Sequence, residues 1–226
     1  MDIRFEQAGA TFGDRVAVEP LTLSLSERRV AIIGLNGSGK TTFARMINGL
    51  VVPTSGRVTV NGSDTASAGE SVRRQVGFIF QNPQNQIILP ILREDIALGL
   101  KSRRLSAAAV DDAIEAILAR FGIEHLAARR AHELSGGELQ LAALASVLVT
   151  DPEIVILDEP TNQLDLRNRA LVERTLRTLD ETVIVISHDL ALIEDFDRVL
   201  MFHEGRLLGD GAPRDVIAGY RKIAAA

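Results

Sequence analysis

The sequence contains no cysteine, so it can form neither disulfides nor thiolate metal sites, which suits a reducing compartment. Its opening, MDIRFEQAG, has no basic segment followed by an apolar one, and no secretory signal is expected. No uninterrupted apolar run approaches the roughly 18 residues of a membrane span. The formal net charge is −5 with no long basic block, which argues against a nucleic-acid partner. None of the four histidines stands at metal-ligand spacing from another, so no zinc site is expected. Internal repeats, low-complexity tracts and obvious linkers are also missing. What is present is a chain of 226 residues, 46% hydrophobic and 24% charged, long enough to bury the core of one large domain or two modest ones.

Short β-branched runs alternate with helical stretches along most of the chain. RRVAIIG (28–34), VGFIF (76–80), EIVILD (153–158) and TVIVIS (182–187) are continuously apolar, the pattern of parallel strands covered on both faces. DIRFEQAGATF near the start and GRVTVNG (56–62) alternate and end in turn residues, as an antiparallel patch would. In SAAAVDDAIEAILARFG, Val110, Ile114, Ile117, Leu118 and Phe121 share one helical face, with Ser106 as start cap and Gly122 as stop. The expected class is therefore α/β. A mostly parallel core and its antiparallel patch, about 1–82 and 150–226, are interrupted by a helical subdomain at about 83–149. The closing GYRKIAAA is expected to fray.

GLNGSGKTT (34–42) fits G-x-x-x-x-G-K-[ST], follows a predicted strand and opens the helix FARMINGL. Glycines let the backbone curl until its N–H groups point inward, forming an anion nest at a helix N-terminus. Asn36, Gly37, Ser38, Gly39, Lys40, Thr41 and Thr42 are the expected ATP contacts, with Lys40 reaching the β- and γ-phosphates and the Thr41 hydroxyl on Mg²⁺. EIVILDEP places Asp158 at the carboxyl end of a buried strand, where it can hold Mg²⁺ through water. Glu159 follows, in position to orient or deprotonate the attacking water. Alone, such an Asp-Glu pair is more often a capping or solvent pair, and His188 beyond the strand TVIVIS is more readily a surface or capping histidine.

LSGGE (134–138) sets a further question. Ser135 with Glu138 makes a Ser-x-x-Glu capping box, yet Gly136 and Gly137 each cost roughly 0.5–1 kcal/mol in a helix relative to alanine. Something close to the helix start is expected to exclude side chains there.

Taken together, the loop at 34–42, Gln81 in FIFQNP, LSGGE, ILDEP, the NQLD segment and SHD resemble the ATP-binding cassette ATPases over nearly the whole chain, in family order. The resemblance implies a P-loop NTPase fold and further roles. Phe12 would stack on adenine, Gln81 would touch Mg²⁺ and the attacking water, and His188 would contact the γ-phosphate. Ser135, Gly136 and Gly137 would cup the γ-phosphate of ATP held by a second copy, with Asp165 in the loop crossing that seam. Hydrolysis would then need two cassettes, head to tail, and a homodimer is the simpler expectation. Two positions depart from many relatives. Glu138 replaces Gln and puts a carboxylate near a phosphate, which is expected to soften ATP affinity. Leu141 replaces Arg, so an internal pairing used by relatives is not assumed.

FQNPQNQIILPILREDIALGL (80–100) is similar to the energy-coupling-factor importers, whose ATPases carry Gln-Asn-Pro-x-x-Gln here. Asn82-Pro83 would form a turn, and Gln84, Gln86, Ile87, Ile88 and Leu89 would line a groove for the transmembrane partner. Read without the family, the same residues are a loop and part of a helical core. The resemblance implies peripheral attachment at the cytoplasmic face of the membrane, with a transmembrane coupling protein and a substrate-binding membrane protein as partners. The chain's compact length is most similar to ATPases of biotin importers, with cobalt or nickel next. A soluble cassette ATPase of the iron–sulfur assembly type is the alternative that single-cassette length leaves open. A P-loop kinase would have no use for LSGG or a histidine placed like His188.

Overall fold

Alternation near the N-terminus gives a strand with one buried face: in β1 (Ile3–Phe12), Ile3 and Phe5 are buried while Arg4 and Glu6 are exposed. The structure, a computed structural model, describes residues 1–224. β1 pairs antiparallel with β2 (Arg15–Leu25) and with β4 (Ser55–Val60), which carries the short β5 (Ser63–Asp64), in the order β2-β1-β4-β5. This is the antiparallel patch, and it is longer than the sequence suggests. β2 escapes notice because Pro20 interrupts its pattern; at the edge of the sheet a missing N–H is tolerated.

The continuous apolar runs form a second sheet. β3 (Arg29–Gly34), β6 (Val76–Ile79), β7 (Ile154–Asp158), β8 (Thr182–Ile186), β9 (Arg198–His203) and β10 (Arg206–Gly211) are ordered β10-β9-β3-β8-β7-β6. β3 runs parallel to both β8 and β9, and β7 runs parallel to β8. β10 returns antiparallel on β9 through Glu204 and Gly205, both at positive φ (47° and 81°), as a two-residue hairpin of the primed type requires. Val30, Ala31, Ile32 and Ile33 are fully buried, as a strand covered on both faces demands.

By internal packing the chain divides into two units. The first comprises Met1–Gly77, Glu153–Glu159 and the residues from Glu181 onward; the second comprises Phe78–Pro152 and Pro160–Asp180. The second thus takes in 160–180, which the sequence reading places with the α/β core. In the first unit, α1 (Lys40–Asn48) is fixed by Phe43, whose ring stacks on Phe5 at 4.4 Å and meets Phe202 at 4.8 Å. This sandwich sets where the residues just before Phe43 begin their helix. α2 (Gly69–Gln75) and α7 (Pro213–Ala224) complete the unit. The tail expected to fray is helical as far as Ala224; Ala225 and Ala226 lie outside the described residues.

The second unit holds α3 (Leu92–Leu100), α4 (Ala107–Phe121), α5 (Gly136–Leu148) and α6 (Leu166–Arg177). α4 begins where Ser106 accepts the Ala109 N–H and ends at Gly122 in the left-handed region (φ 65°), with Ile114, Ile117 and Leu118 buried. α5 is buried around most of its circumference, including Leu141, which serves as a core residue where relatives are expected to carry a cation.

Candidate functional site

β3 ends at Gly34, and the chain turns through Leu35–Gly39 into α1. Three glycines make that path possible for two different reasons. At Gly34 and Gly39 the backbone has positive φ (148° and 100°), and a Cβ would sit 2.1 Å from the Phe202 carbonyl oxygen and 2.3 Å from that of Ala17. Gly37 also has positive φ (79°) but faces open space apart from the Arg15 guanidinium, 3.5 Å from where a Cβ would sit. The turn joining β9 to β10 pins the loop, since the Gly205 N–H donates to Ser38 O at 3.1 Å. This support is hard to see in the sequence, since Glu204-Gly205 is not one of the Asn-Gly, Asp-Gly or Gly-Gly pairs that mark such a turn.

Lys40 folds back over the loop. Its Nζ donates to Gly34 O at 2.7 Å and Leu35 O at 2.9 Å. Burial holds the ammonium below the ordinary lysine range, against the pull of Glu159 and Asp158. The Ser38 hydroxyl is buried with no partner, an orphan that an anion oxygen would satisfy. Leu35, Asn36 and Gly37 form the exposed rim, and Thr42 is half-buried on α1. Phe12, 54% exposed, stands opposite Arg15 in the β1–β2 register, and Arg15 reaches Gly37 O at 3.5 Å.

At the end of β7 the Asp158 carboxylate accepts the Thr41 hydroxyl, 3.0 Å to Oδ2 and 3.3 Å to Oδ1. Burial pushes Asp158 above the ordinary carboxylate range, with the Thr41 bond opposing. Hydroxyl and carboxylate oxygens side by side are ligands of the kind a hard divalent cation takes. Glu159 follows at φ 52°, a left-handed position that its N–H bond to Ile186 O (2.9 Å) helps to hold. Its Oε2 accepts the His188 backbone N–H at 3.2 Å, and Oε1 lies 2.9 Å from His188 Nε2 without receiving a directed hydrogen bond. That same Nε2 is 3.2 Å from Asn36 Oδ1. With oxygens on both sides, the imidazole fits as the tautomer protonated on Nε2. Burial raises the Glu159 pKa, the His188 N–H and the Lys40 charge opposing. Burial and the Lys40 charge together lower that of His188. Asn36, Ser38, Lys40, Thr41, Asp158, Glu159 and His188 therefore form one constellation.

In the second unit, Ser135 caps α5 as expected: its Oγ accepts the Glu138 N–H (3.4 Å), and Glu138 Oε2 accepts the Ser135 N–H (2.8 Å). The Ser135 bonds hold the Glu138 carboxyl below its ordinary range. The two glycines differ. Gly136 is exposed, whereas a Cβ on Gly137 would lie 2.3 Å from Oδ1, 2.6 Å from Cγ and 2.9 Å from Cβ of Asn168. Side chains are thus excluded at Gly137 by this chain's own α6. Asp165 caps α6 by accepting the Asn168 N–H at 2.8 Å. Gln81 is exposed beyond β6; Asn82 caps a 3₁₀ turn at Pro83–Asn85 by accepting the Gln84 N–H. Gln84 and Ile88 are exposed (Ile88 75%), while Gln86, Ile87 and Leu89 are half-buried.

Residues 18–162 match the family described as ABC transporter. Over 225 residues the chain is 65% identical to the biotin transport ATP-binding protein BioM of Rhizobium etli, covering 100% of both chains. It is 40% identical over 202 residues to the energy-coupling factor transporter ATP-binding protein EcfA1 of Halalkalibacterium halodurans, covering 87% of this chain and 73% of that one. Among solved structures, cbiO1 from Clostridium perfringens, part of the ABC transporter complex cbiONQ, superposes with a TM-score of 0.85 at 30% identity, covering 99% of this chain and 93% of that one. A dimeric post-hydrolysis state of the ATP-binding cassette MJ0796, bound to ADP and Pi, gives 0.83 at 26% identity, covering 94% and 99%.

Proposed function

Because the chain belongs to the ABC transporter family of ATPases, we propose that it is the ATP-hydrolysing subunit of an energy-coupling-factor importer whose cargo is biotin. The observation that carries this reading is its 65% identity, end to end, with a biotin transport ATP-binding protein. A cobalt or nickel cargo is the alternative that the resemblance to importer ATPases leaves open. Nothing in an ATPase subunit touches the cargo, so this assignment rests on relatedness alone.

The constellation and the family resemblance together support the following site chemistry. Lys40 exchanges the carbonyls of Gly34 and Leu35 for β- and γ-phosphate oxygens, aided by the N–H groups at the start of α1 and by the Ser38 hydroxyl. Phe12 stacks on the adenine. Thr41 and Asp158 would hold Mg²⁺, and the ion would neutralise charge on the transferred phosphoryl group. Glu159 accepts a proton from the attacking water, its burial having raised its basicity above that of a surface carboxylate. His188, between Glu159 and Asn36, donates toward the γ-phosphate. A second copy supplies Ser135, Gly136 and Gly137, with Asp165 at the seam. Gln84, Gln86, Ile87, Ile88 and Leu89 receive the membrane partner at the cytoplasmic face.

The test is affinity purification of the tagged chain from detergent-solubilised membranes, with identification of co-purifying subunits and bound small molecules. Recovery of a transmembrane coupling protein and a biotin-binding membrane protein is expected. Recovery of a soluble assembly machinery with no membrane subunit would overturn the reading, and a bound cobalt or nickel ion would replace the cargo.

A further inference from the structure

The carboxylate of Asp95, in the first turn of α3, is 5% exposed and gathers three donors. Its Oδ1 accepts the backbone N–H groups of Ile88 (2.7 Å) and Leu89 (3.0 Å), and its Oδ2 accepts the Ser146 hydroxyl (2.9 Å). One side chain thereby ties a loop carrying the exposed Ile88 to the helix that begins at Gly136. All three partners donate here, the two backbone N–H groups to one oxygen; the Ser146 hydroxyl is the one partner that could equally accept. Breaking any of these bonds leaves a buried polar group unpaired, which keeps the arrangement fixed.

The surroundings make this joint stiff. A Cβ on Gly99 would lie 3.3 Å from both Ser146 O and Thr150 Cγ2, so α3 and α5 approach with little room to slide. α5 is mostly buried along its length, and the ten residue steps from Gly136 to Ser146 span about 15 Å of rigid helix. Downstream of the loop, the chain pairs with the segment that leads into Ser135. Leu92 N–H donates to Arg129 O (3.1 Å), Arg93 N–H to Ala127 O (2.9 Å), and Ala131 N–H to Pro90 O (3.1 Å).

We infer that Asp95 is a positioning residue for coupling: it locks the Ile88–Leu89 backbone to Ser146, so that a push on this loop moves the Ser135–Gly137 end of α5. The inference rests on the proposal that Gln84–Leu89 receives the membrane partner. It adds the internal linkage by which that contact reaches the residues offered to ATP.

The experiment uses the complex purified with its membrane subunits, comparing wild type with Asp95→Ala, Ser146→Ala, Asp95→Asn and Ile87→Asp. The readouts are co-purification, ATP turnover of the isolated subunit, thermal midpoint, and cargo taken up per ATP hydrolysed in vesicles. Asp95→Ala and Ser146→Ala should co-purify normally and keep isolated turnover within about twofold, yet lose at least fivefold in uptake per ATP. Asp95→Asn should restore uptake, because its oxygen still accepts both N–H groups and its amide can donate to Ser146; a merely stabilising charge would not be restored this way. Wild-type coupling in both alanine variants, loss of co-purification in either, or an Asp95→Asn variant as uncoupled as Asp95→Ala would overturn the inference. Ile87→Asp separates the two readings: if that variant still co-purifies, the docking assignment fails, whatever Asp95 does.

Discussion

Glu159 combines two unfavourable features, a left-handed backbone and a buried carboxylate, each of which the surrounding strands must hold in place. Its raised pKa fixes the sign of a stability prediction. A carboxyl protonated more readily in the folded state contributes stability below its ordinary value of 4.5, and that contribution is lost as pH rises through the folded value. Glu159→Gln should therefore raise the nucleotide-free melting temperature at neutral pH by about 2–4 °C, the shift that about 1 kcal/mol produces at this chain length. Melting curves across pH should show the gain vanish below 4.5. The same variant should lose turnover by at least about 100-fold while still binding ATP. Retained hydrolysis would remove Glu159 from its role. Lys40→Ala deletes charge-assisted bonds and should weaken nucleotide binding about 10- to 100-fold in a fluorescent-nucleotide titration. Undiminished affinity would contradict the phosphate assignment. At this scale the phosphate loop was legible, because its glycines, lysine and threonine stand at fixed spacing. The Asn36–His188 contact was not: the two residues are 152 positions apart and no local pattern joins them.

Between elements, the glycine pair that opens α5 shows how a sequence can pose a question correctly and answer only half of it. The spacing Ser-Gly-Gly-Glu announced a capped helix start from which side chains are excluded. The excluding neighbour at Gly137 is Asn168 in the first turn of α6, whose packing on α5 is set by the long-range fold. Gly137→Ala should consequently cost about 1–3 kcal/mol by overpacking. Asn168→Gly should restore part of it in the double variant, since contacting residues couple non-additively. Additive losses in chemical denaturation would show that the contact does not matter. The parallel strands were legible as continuous apolar runs. β2 and the β9–β10 hairpin were not, since Pro20 masks the first and bulged registers blur the alternation of both. That hairpin proves consequential, because its Gly205 holds the phosphate loop.

At the scale of the whole molecule, the chain divides its chemistry. The phosphate loop, Asp158, Glu159 and His188 stand together in one unit, while the residues assigned to a neighbour's ATP open α5 in the other. The family and its architecture could be read from motifs whose order and spacing are local facts. Cargo could not, because no residue of such a subunit meets it. The central claim is that a working reaction centre takes half of its groups from a second copy. Turnover per subunit, measured while the purified chain is diluted and its mass distribution followed in parallel, tests this most directly. The account predicts that turnover falls with dilution in step with the loss of dimer; constant turnover in a population holding only monomers would contradict it.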